Sequence, residues 1–188
     1  PARLDTPKVS PASDALETWN LLPTRPDWAG GLREVWSVGE RAAHDQLEWW
    51  IDHVDDYDDR RNFPSLGKVS RLSPHLHFGE ISPVQIWHRL KEKTSQGWKI
   101  FEKELIWRDY SQNAICQFPA YASENYRDEF DRLEWRDPQR DDQAAADLIA
   151  WQNGETGYPI VDAGMRQLWK TGWMHNRVRM ITASFLIK

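Results

Sequence analysis

Apolar positions recur every three or four residues along most of the chain, the period of a helix that buries one stripe. In residues 39–61, GERAAHDQLEWWIDHVDDYDDRR, that stripe is Leu47, Trp50, Ile51 and Val54. In ISPVQIWHRLKEKT, Ser82 stands at a cap, Pro83 at the first helical position and Gln85 three residues after the serine, a capping-box pattern. WKIFEKELIWRDYSQNAICQF, residues 98–118, lines up Ile100, Phe101, Glu104, Trp107, Arg108 and Ser111. YPIVDAGMRQLWKTG enters at Pro159 and stops at Gly172, with Lys170 in its last turn. WMHNRVRMITASFLIK predicts a last helix from Trp173 onward, and SDALETW a short one capped by Ser13. Strand-like alternation is absent, and Pro and Gly punctuate the joins at 22–31, 63–67, 118–120 and 153–159. The pattern predicts an all-α domain over residues 14–188, entered through a linker over 1–13. The last helix reaches Lys188 without cap, glycine or proline, and reads as a C-terminally truncated piece of a longer chain.

Composition adds little to that outline except tryptophan. The 188 residues are 40% hydrophobic and 28% charged, a globular balance. No apolar run is long enough to cross a bilayer, and the start lacks a signal-peptide layout. One cysteine, Cys116, excludes an internal disulfide framework, so a reducing, cytoplasmic setting is the expectation. Twelve tryptophans exceed what a core of this size needs. Most are expected to pack, and a few to face an aromatic ligand or carry electrons.

Charge changes the picture further, because it is segregated. Residues 14–59 hold twelve acids against three bases, and 121–150 nine against four. From Ala163 to Lys188 there are five bases and no acid. A net charge of −5 is thus compatible with a nucleic-acid partner at a local positive patch.

Three constellations carry candidate chemistry. Glu104, Trp107 and Arg108 share a helical face at i, i+3 and i+4, either as an ion pair with the arginine or as a working carboxyl on an aromatic face. Asn176, Arg179 and Met180 share another, where an amide beside a guanidinium can read a base edge or hold a cofactor ring. Gly67 and KVSRLS, residues 68–73, offer hydroxyls, an arginine and backbone amides to a phosphate, with Tyr57 and Arg61 just upstream. His75, His77 and His88 have no fourth ligand at metal spacing, so no metal is expected.

SRLSPHLHFGEISP, ELIWRDY and AWQNGETGYPIVDAGMRQLWKTGWMHNRVRMITASFL, in that order, resemble the flavin-binding helical domain of the DNA photolyase/cryptochrome family. The resemblance is dense from Tyr57 to Lys188 and leans toward class I photolyases acting on cyclobutane pyrimidine dimers. It implies that FAD phosphates are held by Tyr57 and by Val69, Ser70, Arg71, Leu72 and Ser73, with Val69 standing where the family usually has threonine. It implies Phe101, Arg108 and Arg179 around the flavin, and Glu104, Trp107 and Asn176 against the lesion. Arg61, Arg177, Arg108 and Met180 would lie on the DNA side, and Trp135 would be the outer member of an electron-transfer chain. A protonated Glu104, its acidity weakened by burial on an apolar face, would stabilise negative charge on a pyrimidine carbonyl. The implied function is light-driven dimer repair by a monomeric, membrane-free lyase. A cryptochrome-like photoreceptor that keeps FAD without repair is the alternative; Asn176 with Glu104 favours repair. The family's antenna chromophore would be bound by a domain outside this sequence.

Overall fold

The computed structural model describes residue 9 and residues 12–187; most of the linker read over 1–13 lies outside the described residues. The described chain is helical. Its elements are α1 (Gly30–Val35), α2 (Glu40–Ile51), α3 (Tyr57–Arg60), α4 (Ser73–His77) and α5 (Pro83–Leu90). They continue with α6 (Gln96–Gln117), α7 (Asp142–Asn153), α8 (Pro159–Thr171) and α9 (Asn176–Ile187), with short 3-10 turns between them. No helix among the described residues is long and apolar enough to cross a membrane.

Several ends follow the sequence directly. Ser82 Oγ accepts from the Gln85 amide at 3.1 Å and Gln85 Oε1 from the Ser82 amide at 2.8 Å, closing the capping box of α5. Pro159 opens α8, and Gly172 ends it with φ 67°, the left-handed conformation that glycine adopts without cost. Other ends depart from it. The segment read as one helix over 39–61 breaks after Ile51 into a 3-10 turn, Val54–Asp56, and α3. The break admits α6: Gly97 sits so close to the Val54 and Asp55 carbonyls that a side chain there would overlap backbone. SDALETW forms only an exposed 3-10 turn, Leu16–Trp19, with no side-chain cap from Ser13.

The final helix starts at Asn176, three residues later than the pattern predicts. Gly172 turns the chain, and the ring nitrogen Nδ1 of His175 accepts from the Arg177 amide at 3.2 Å. That imidazole takes the place of a Ser or Asp cap, so no ordinary cap residue marks the boundary.

Two apolar clusters hold the helices. The larger joins Leu47, Trp50, Val54, Leu72, Ile86, Trp98 and Phe101, tying α2, α5 and α6 around the 68–72 loop. Trp50 is fully buried among Tyr57 and Phe101, with ring centroids at 5.3 and 5.0 Å. Edge contacts of this kind add to area burial. The smaller cluster, Val161, Met165, Met174 and Val178, joins α8 to α9, with Trp151 of α7 against it. Gly164 allows that approach, since Val178 and Thr182 occupy the space of a side chain. Asp162 is buried beside this cluster and accepts from the Thr156 hydroxyl at 2.6 Å and the Thr156 and Gly157 amides at 2.8 and 3.0 Å. It fixes the turn between α7 and α8, and the Thr156 hydroxyl above all holds its carboxyl below the ordinary carboxylate range.

Candidate functional site

The inner face of α6 forms one wall of a cavity of about 540 Å³. Phe101, Glu104, Trp107, Arg108 and Ser111 all line it, as the i, i+3, i+4 stripe predicts. The opposite walls come from Tyr57 and Arg61 of the α3 region, the 69–73 loop, and Asn176 and Arg179 of α9. The packing of α2 against α6 through Trp50 and Phe101 sets the separation of these walls.

The loop wall is stiffly built. Leu72 is buried in the core and anchors it, leaving Ser70, Arg71 and Ser73 on the cavity. Gln46 Nε2 donates to the Ser70 carbonyl at 2.8 Å. Arg71 has φ 52°, an uncommon conformation for a residue with a side chain. Its guanidinium lies 4.9 Å from the centre of the Trp173 ring, a cation–π contact that holds the arginine at the cavity. Arg108 donates to the Leu76 carbonyl at 3.2 Å and Arg179 to the Met174 carbonyl at 3.3 Å. None of Arg71, Arg108 and Arg179 is paired with a carboxylate among the described residues.

Glu104 departs from the expectation. It is not sequestered on an apolar face: its side chain is 39% exposed and its Oε1 lies 2.6 Å from the Arg61 guanidinium. Nor is Arg108, its neighbour at i+4, its partner. Arg61 also stands 5.0 Å from the Tyr57 ring centre, so one cation bridges a phenol and a carboxylate. Burial pushes the Tyr57 phenol above its ordinary range, with Arg61 opposing.

The remaining candidates separate. Asn176 lines the cavity as the first residue of α9, and its amide makes no side-chain hydrogen bond among the described residues. Val69 lines it without a hydroxyl. Arg177 turns away to Asn62 Oδ1 at 2.8 Å, and Met180 is exposed beside it; neither lines the cavity. Trp135 is exposed between α6 and α7 and is not among the lining residues. The sequence reading missed Leu76, Leu105, Gln112, Trp173 and Met174, which with His77 complete the walls, and His175, which sets the start of α9. Trp173 had a signal, as the aromatic residue flanking the acid-free terminal segment. Gln46 had none.

The donor set suits a ligand with an anionic group and a flat ring. Four guanidinium groups, three serine hydroxyls and a tyrosine line one space, with Phe101, Leu105, Trp107 and Met174 as apolar surface. Convergent cations and hydroxyls bind phosphate, and apolar walls with a few polar groups bind planar ligands. FAD carries both features, so the residues present fit it.

Comparison with known proteins agrees with this geometry. Residues 101–188 match a family model described as the FAD binding domain of DNA photolyase. A deoxyribodipyrimidine photo-lyase of Agrobacterium fabrum is 47% identical over all of this chain, which spans 39% of that protein. The crystal structure of a bacterial class III photolyase from Agrobacterium tumefaciens superposes with a TM-score of 0.86 at 47% identity, covering 98% of this chain and 38% of that one. A cryptochrome from Synechocystis follows at 0.61 and 30%, covering 82% and 32%. The chain therefore spans about two fifths of the length of the photolyases it matches, and the structural likeness is to a class III enzyme where the motifs lean toward class I. The chain belongs to the DNA photolyase/cryptochrome family and carries part of that family's FAD-binding helical domain.

Proposed function

We propose that this chain is part of a deoxyribodipyrimidine photo-lyase, which binds FAD in the 540 Å³ cavity and repairs cyclobutane pyrimidine dimers in DNA under blue light. The observation that carries the reading is the set of three cavity arginines without carboxylate partners, in a chain of net charge −5. Reduced FAD, when bound, supplies one electron on illumination, which hydrolytic groups cannot do.

The chain's own residues position and polarise. Ser70, Arg71 and Ser73 offer hydroxyl and guanidinium donors to phosphates, and the buried Leu72 keeps the loop from moving away. Arg108 and Arg179 each spend one N–H on a backbone carbonyl, which orients the planar fork and leaves the other donors for a ligand. Phe101 and Leu105 exclude water along α6. At the open end, Arg61 and Glu104 present a donor and an acceptor side by side, and Asn176 presents both in one amide. Such a set can meet the carbonyl and N–H edge of a pyrimidine taken out of the stack. Trp107, 61% exposed, provides a flat surface for it.

Flavin absorbance after purification tests the cofactor, and loss of thymine dimers under blue light in the full-length protein tests the reaction. Flavin without repair would assign the chain to the photoreceptor branch, represented here by the Synechocystis likeness. No flavin at all would overturn both readings.

A further inference from the structure

Asn176 lines the cavity, and both of its neighbours in sequence turn toward the end of α3, the segment that carries Arg61. Arg177 Nε donates to Asn62 Oδ1 at 2.8 Å. His175, on the other side of Asn176, is only 2% exposed. Its Nδ1 accepts from the Arg177 amide at 3.2 Å. An amide N–H only donates, so Nδ1 bears no proton and the neutral ring carries its proton on Nε2. Burial, and next the Arg177 charge, favour that neutral form.

The Nε2–H has no hydrogen-bond partner, one of two buried side-chain polar atoms so placed among the described residues. An acceptor stands near it. Arg61 is the residue that closes α3, where helix carbonyls lack intrahelical partners. No backbone amide among the described residues donates to the Arg61 carbonyl. The Arg61 backbone also favours the protonated ring, and Nδ1 is already taken by Arg177, so this carbonyl is the group that Nε2–H faces. A cap alone does not account for the imidazole. Ser, Asp or Asn would accept the Arg177 amide without burying a second nitrogen that goes unpaired.

We infer that His175 is a positioning residue of the site: its Nε2–H pairs with the Arg61 carbonyl as α9 and α3 close on a pyrimidine, setting Asn176 against Arg61. The inference rests on the reading of the cavity as a flavin and lesion site. Arg177 on Asn62 is the fixed half of the clasp, and His175 on Arg61 the half that ligand binding completes. Closing it carries Asn176 toward the Arg61–Glu104 pair, so three groups that meet one base edge are set together. The body of α9 is held elsewhere, by Met174 and Val178 against Val161 and Met165, so the ring acts on the first turn.

The test uses the full-length, flavin-loaded protein with nitrogen-15 in its histidines, and an oligonucleotide carrying one thymine dimer, added in the dark. The His175 Nε2 resonance should move, and its proton should exchange more slowly, when the oligonucleotide binds. His175→Asn keeps an acceptor for the Arg177 amide but cannot reach the Arg61 carbonyl. It should hold flavin as the parent does and bind the dimer about five- to tenfold more weakly. In an Asn176→Ala background the same substitution should cost no more than about twofold, because the side chain it positions is gone. An unmoved Nε2 resonance, parental dimer affinity in His175→Asn, or flavin lost in step with dimer binding would each overturn the clasp while the repair reading stands. A parent that holds flavin and binds no dimer would overturn the repair reading and this inference with it.

Discussion

The Arg61 guanidinium sits 2.6 Å from the Glu104 carboxylate, joining the end of α3 to the middle of α6 across 43 residues of sequence. Both partners line the same cavity, so the pair is at once a clasp between two walls and a donor–acceptor unit for an incoming base. Because the carboxylate is 39% exposed, breaking the pair costs little stability. Arg61→Met should lower the unfolding free energy by no more than about 1 kcal/mol in urea titrations. In the full-length protein it should weaken binding of dimer-containing DNA. Glu104→Ala should cut repair yield far more than flavin retention; equal losses would make the pair structural only.

Trp50 offers a cleaner test of the core. It is fully buried, and its Nε1 has no hydrogen-bond partner. Trp50→Ala should cost about 3–5 kcal/mol through the cavity it leaves. Trp50→Phe should cost much less, because it removes an unpaired N–H worth about 1–3 kcal/mol together with some apolar area. Equal destabilisation by the two variants, measured by denaturant unfolding, would mean that shape alone governs the site.

Gly97→Ala should destabilise by about 1–3 kcal/mol or somewhat more. The added methyl meets the Val54 and Asp55 carbonyls, and backbone yields less readily than a side chain. An alanine variant as stable as the parent in urea would contradict the close approach.

His175 gives a pH dependence with a definite sign. Burial, and next the Arg177 charge, hold its imidazole below the ordinary value of 6.5, while the Arg61 backbone pulls the other way. The unfolded chain therefore takes up the proton first. Stability is full above pH 6.5 and falls as pH drops from there through the folded-state value. Protonation of Nδ1 also removes the acceptor for the Arg177 amide, so the start of α9 should loosen first. Thermal unfolding of the parent and of His175→Asn between pH 7.5 and about 4.5 checks this against the reference histidine value. Asparagine can cap without titrating, so its profile should flatten near neutrality and keep only the carboxylate-driven loss at lower pH.

The helices and their buried stripes were legible because period and punctuation are local properties. Leu47, Trp50, Val54 and Phe101 are buried where the pattern put them. The capping box at Ser82 and the stop at Gly172 also stand as read. The α6 stripe gave most of one cavity wall, lacking Leu105 and Gln112. What was not legible came from distance along the chain. Nothing near Glu104 announces Arg61, and nothing near Ser70 announces Gln46. The break after Ile51 answers to a glycine more than 40 positions later. The start of α9 was misplaced for a different reason, since a histidine ring performs a role usually filled by a hydroxyl or carboxylate.

The contact at Gly97 makes α6 a lever with its fulcrum at one end. At 1.5 Å per residue, Arg108 lies about 16 Å along the axis from Gly97. A tilt of about 10° at the fulcrum would carry Arg108 sideways by about 3 Å, the whole length of a hydrogen bond. Trp107 would swing by only slightly less, and Glu104, nearer the fulcrum, by about 2 Å. A small change under the first turn of this helix is therefore magnified where the ligand sits, and the cavity's geometry is lost well before the fold is.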